Sequence, residues 1–77
     1  MRYAIVIEKV PNSNYGAYAP DVPGCVATGD SVEEVTRLMK EGLEFHLEGT
    51  REDGLPIPEP TSQVAYVEVL IPAPVAR

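Results

Sequence analysis

A chain of 77 residues has interior enough for one domain only, and no run in it approaches the length of a membrane span. Twelve acidic against six basic side chains give a net charge of −6. The cations Arg2, Lys9, Arg37, Lys40, Arg51 and Arg77 are scattered, which argues against direct nucleic-acid binding, because that affinity comes from clustered cations releasing counterions.

Residues 2–10 alternate Tyr3, Ile5 and Ile7 against Ala4, Val6 and Glu8, and this period of two with β-branched residues predicts a first strand. Pro11 to Asn14 is a turn cluster. Residues 15–19 predict a returning strand, Pro20 to Gly24 a rigid loop, and Cys25 to Thr28 a short third strand. Ser31 and Glu34 form an S-x-x-E capping box that starts a helix. Val35, Leu38, Met39, Gly42, Leu43, His46 and Leu47 then recur on one helical face, and Gly49 marks the stop, which bounds the helix at roughly 32–48. Prolines 56, 58 and 60 predict an extended loop over 50–61. Residues 62–71 read as a last, strong strand, and 72–77, with two prolines, as a flexible tail.

The expected domain therefore covers residues 1–71 and is an α+β, two-layer sandwich of β-β-β-α-β order. A right-handed helical crossover would place the fourth strand beside the first, giving sheet order 3-2-1-4. One helix covers only one sheet face, yet strands one and four are apolar on both. Tyr3 and Ile5 oppose Ala4 and Val6, while Val64 and Tyr66 oppose Val67 and Val69. Such a surface predicts burial in a homo-oligomer, with Tyr3, Ile5, Val64, Tyr66, Val67 and Val69 at the contact. The competing expectation is that the 50–61 loop folds over that face.

Candidate chemistry is sparse. His46 has no nucleophile or orienting partner legible nearby. Cys25, the single cysteine, excludes an internal disulfide and fits a reducing cytoplasm. Its neighbours Asp21 and Asp30 would not activate a thiol, and Cys25 with His46 is too few ligands for a closed zinc site. The expected strand order resembles a truncated ribonuclease H-like core, but the only strand acids, Glu8 and Glu68, read as solvent-facing rather than as a two-metal set. No catalytic residue, metal or cofactor is expected. Glu41, Glu44, Glu48, Glu52 and Asp53 form an acidic stripe along the helix and its exit, either a solvated face or a surface for a basic protein.

The run Y-G-A-Y-A-P-D-V-P-G-C-V-A-T-G-D-S from Tyr15 to Ser31 continues through Val32-Glu33-Glu34-Val35, reaches His46-Leu47-Glu48, and is followed by Pro56 to Pro60. In order and spacing this resembles the N-terminal domain of HicB-like antitoxins over roughly residues 3–70. The resemblance implies a partial ribonuclease H-like fold without nuclease residues. It also implies a cytoplasmic, non-enzymatic partner for HicA, a small basic toxin that cleaves messenger RNA with its own catalytic histidine. Antitoxins of this kind commonly carry a further DNA-binding segment, which is not carried over here. The function expected is toxin neutralisation by direct protein binding; the alternative is an orphan oligomeric domain with another protein or a small molecule as partner.

Overall fold

The computed structural model describes residues 1–73. Along the chain run β1 (Val6–Lys9), β2 (Tyr15–Tyr18), β3 (Val26–Gly29) and α1 (Val32–Glu52). Two proline-led turns prepare the sheet. In Val10-Pro11-Asn12-Ser13 the Ser13 N–H donates to the Val10 carbonyl at 3.0 Å, with Asn12 at φ 58°. Proline presets the first corner of such a turn, and asparagine tolerates the left-handed second one. Val22-Pro23-Gly24-Cys25 uses the same device, with Gly24 at φ 89° and Cys25 N–H donating to Val22 at 3.3 Å.

The strands form an antiparallel meander in the order β1-β2-β3, with Ile7 opposite Ala17 and Ala17 opposite Ala27. That row faces the helix. Ala17, Ala19, Val22 and Cys25 are buried there against Val35, Met39 and Leu43, with Tyr3, Ile5, Ile7 and Leu47 packed at the margin. Val6, Tyr18 and Val26 share the opposite face, where Tyr18 is 43% and Val26 70% exposed. The 55–61 segment therefore does not fold over this face, contrary to the competing expectation. It skirts the end of the sheet instead, where Pro58 accepts a hydrogen bond from the Tyr3 hydroxyl.

The capping box is present but offset by one residue. Ser31 Oγ accepts from Glu34 N–H at 3.0 Å, while Glu34 Oε1 accepts from Asp30 N–H, not Ser31 N–H, at 2.8 Å. Gly29 leaves room for this arrangement: a Cβ there would stand 2.9 Å from Glu34 Oε1 and 3.1 Å from the Val35 nitrogen.

Two expectations need correction. The helix does not stop at Gly49 but runs on to Glu52. Gly54, at φ 72°, ends it, with Gly54 N–H donating to Arg51 and Leu55 N–H to Thr50, each at 3.0 Å. This is a Schellman closure, which needs a left-handed residue just past the cap. Gly49, lacking positive φ, is an ordinary interior position.

The second correction concerns the expected fourth strand. Among the described residues, 62–71 pair with no strand, so the sheet there has three strands and the observed order is β-β-β-α. The helix packs on β2 and β3 rather than β1. It offers no cover beside β1 for a strand that is apolar on both sides. Asp21 also tethers Thr61 and Ser62 at the sheet's end, and from there the chain leaves the body. Of the expected tail at 72–77, residues 74–77 lie outside the described residues.

These glycines yield opposite expectations. Gly49→Ala removes a flexible residue from the helix interior into open space and should stabilise the fold by about 0.5–1 kcal/mol. Gly54→Ala forces a Cβ into the left-handed region and should destabilise it by about 1–2 kcal/mol. Denaturant unfolding of both variants checks the sign; a helix ending at Gly49 would reverse it.

Candidate functional site

At 3.6 residues per turn, Glu41, Glu44, Glu48 and Glu52 fall on one arc of α1, opposite the buried Val35, Met39 and Leu43. All four are exposed, and so is Asp53, the C-cap residue. The acidic stripe expected from the sequence is therefore assembled on the solvent side of the helix. Its N-terminal half is partly neutralised by Arg37–Glu41 at 2.9 Å and Lys40–Glu44 at 3.1 Å. Among the described residues, no ion pair engages Glu48, Glu52 or Asp53.

Within this stripe stands a residue the sequence reading passed over. Phe45 is 82% exposed, one turn from both Glu41 and Glu48. A large aromatic side chain left mostly exposed beside helix carboxylates has the composition of an interface anchor. Its signal in the sequence was one of phase: Phe45 lies off the periodicity that carries Met39, Leu43 and Leu47 into the core. Beside it, a shallow cleft between α1 and the start of β3 is lined by Val26, Phe45, His46 and Leu55. The apolar surface thus continues from the helix to the sheet edge.

Cys25 and His46 both border that cleft, yet they do not form a nucleophilic pair. Burial pushes the Cys25 thiol above its ordinary pKa, which lowers the thiolate fraction a nucleophile needs. His46 is exposed, although its phase pointed towards the core, because the last turns of α1 overrun the short sheet. Glu8 lies in β1 and Glu68 in the segment beyond the sheet. Among the described residues, no group of three or more His, Cys, Asp or Glu could hold a metal ion, and no helix is long and apolar enough to cross a membrane.

The residues expected at an oligomer contact are divided. Tyr3 and Ile5 turn towards the helix side and pack at the core margin, not on the bare sheet face. Val64, Tyr66, Val67 and Val69 are exposed on the segment that leaves the body, and of these Val64 shares a cleft with Tyr3. The base of the segment is clamped by Asp21. One carboxylate oxygen accepts from Ser62 N–H at 2.8 Å, and the other accepts from Ser62 Oγ at 2.8 Å and Thr61 Oγ1 at 3.2 Å.

The Ser62 backbone N–H, followed by the Ser62 hydroxyl, holds the Asp21 carboxyl below its ordinary value of 3.8. A depressed folded pKa means that the clamp contributes fully above the unfolded value and is lost as pH falls through the lower folded one. Acidification through that range should release the Ser62 amide, and Asp21→Ala should release it at neutral pH. Amide exchange at Ser62 measures both; protection unchanged by either would show that the clamp does not form.

Four similarities to known proteins bear on what this chain is. A family model described as HicB-like antitoxin of bacterial toxin-antitoxin system matches residues 3–70. A 14.9 kDa protein from the rep-hol intergenic region of Haemophilus phage HP1 is 42% identical over 67 residues, covering 87% of this chain and 50% of that protein. Antitoxin HicB 1 of Photorhabdus laumondii is 33% identical over 73 residues, covering 90% of this chain and 45% of its own length. A UPF0150 protein of Helicobacter pylori is 38% identical over 65 residues and is covered to 89%. The chain thus spans about half the length of the phage protein and the antitoxin, and most of the Helicobacter protein.

Proposed function

The chain belongs to the HicB-like antitoxin family of bacterial toxin-antitoxin systems, and from that membership we propose that it neutralises a small basic toxin of the HicA type by binding it directly. The observation that supports this reading is the outer face of α1, where exposed Phe45 sits among Glu41, Glu44, Glu48 and Glu52. A toxin that grips RNA presents clustered cations, and a carboxylate-rich helix both attracts and covers such a surface. Field complementarity speeds the encounter, while a central aromatic residue supplies affinity that screened rim charges cannot. Neutralisation is then occlusion in the cytosol, with no chemistry performed by this chain. No DNA contact is assigned to these residues, whose cations are few and dispersed.

The test is co-expression of this chain with the product of the neighbouring reading frame, scoring growth and co-purification. Growth should be rescued and the two should purify together. Equal arrest with and without this chain would overturn the proposal. Phe45→Ala should weaken the purified complex about 30-fold or more, as expected for an anchor costing about 2 kcal/mol, and should leave the helical signal unchanged. Glu48→Lys should chiefly slow association and flatten its salt dependence.

A further inference from the structure

The protomer holds a groove and, separately, a segment shaped to fill it. The groove, of about 460 Å³, runs between the extended residues leading into β1 and the helix, with Tyr3 and Ile5 on one wall and Met39, Leu43 and Leu47 on the other. It exists because α1 leans over β2 and β3 and leaves the β1 side of the layer empty. Alongside it, β1 pairs with β2 on one edge, and among the described residues the backbone groups on its other edge have no strand partner. An open edge beside an apolar trough is the receiving half of a strand-addition site.

Residues 64–71, A-Y-V-E-V-L-I after Val64, are the inserting half. Ala65, Val67, Val69 and Ile71 make one wholly apolar side; Val64, Tyr66 and Leu70 share the other with Glu68. The segment is rich in strand-forming residues but makes no strand, with Tyr66 94% and Leu70 96% exposed. Fixed at its base by Asp21, and with Val64 sharing a cleft with Tyr3, it projects from the body with Tyr66 to Ile71 exposed. The molecule measures 63 × 27 × 17 Å with a radius of gyration of 16.7 Å, against about 11 Å for a compact domain of this length. At a rise of about 3.3 Å per residue, residues 64–71 reach about 26 Å, the length of the residue 2–9 run they would accompany.

We propose that residues 64–71 form the fourth strand of a second copy's sheet, beside its β1, with Ala65, Val67, Val69 and Ile71 in its groove, and that two copies exchange these arms reciprocally. The sheet order becomes 3-2-1-4 with strand four supplied in trans. A second copy is the occupant because it brings an arm of the required length, period and apolar side, and because it has an identical vacancy for the first copy's arm. Reciprocal exchange closes a two-fold dimer and leaves neither arm exposed. A basic toxin is a poor match here, since Glu68 is the one charge in the arm. This proposal does not depend on the toxin reading, and its test uses the chain alone.

The experiment combines light scattering with amide exchange of residues 64–71 over a range of concentrations, on the full chain and on Val67→Lys/Val69→Lys. Both substituted positions are exposed in the protomer, so the body should fold unchanged. The expected result is twice the chain mass, with arm protection that fades on dilution and is abolished together with the dimer in the double variant. A monomer with an unprotected arm overturns the proposal. So does a monomer whose arm is protected at every dilution, which would mean that each chain fills its own groove. A dimer indifferent to the double variant, joined through another face, overturns it as well, as does protection that appears only when the basic toxin is added.

Discussion

The fold depends on one contact: the seat of a single helix on a sheet face with alanine at its centre. Ala17 and Ala19 are buried and Ala27 partly so. Their short side chains let α1 approach closely enough for Val35 and Met39 to lose essentially all contact with water. Close packing of this kind is sensitive to single methylenes, so the small sheet residues fix where the helix lies. It lies over β2 and β3. The vacancy beside β1, the bare outer face of the sheet and the unpaired arm all follow from one helix being too narrow to cover more.

Given that seat, the charges have one place to go. With the buried stripe committed to the sheet, every carboxylate of the helix's second half falls outward, and Phe45 goes with them. The Arg37–Glu41 and Lys40–Glu44 pairs are more than half exposed on each partner and contribute about 0.3–0.5 kcal/mol each as helix pairs. The acidic ridge is thus a field directed at a partner far more than a source of stability.

The two proposed contacts use adjoining sides of α1. The ridge faces solvent, while the groove at Met39, Leu43 and Leu47 faces the sheet layer, and Glu44 borders both. Phe45, Glu48 and Glu52 lie clear of the groove, so a toxin seated on them leaves it free for a second copy of the chain. Exchange would also leave two acidic ridges exposed on one dimer, raising the local concentration of toxin-binding surface.

Local chemistry was legible in the sequence wherever neighbouring residues decide the outcome. The turns around Pro11-Asn12 and Pro23-Gly24, the Ser31–Glu34 cap and the Val35/Met39/Leu43 stripe follow from steric limits and hydrogen-bond needs that operate over three or four residues. The acidic stripe followed from helical phase, and the family from the order of these motifs. The end of the helix did not, because Gly49 and Gly54 look alike in a sequence and differ only in the φ that the folded chain imposes. Phe45 escaped notice because an aromatic residue off the core phase gains meaning only once nothing is seen to cover it. The fate of residues 62–71 was beyond reach for the same reason. Their period of two made them a strand in character, but whether and with what they pair depends on where the helix lies, and that was decided by tertiary packing against the alanines of β2 and β3.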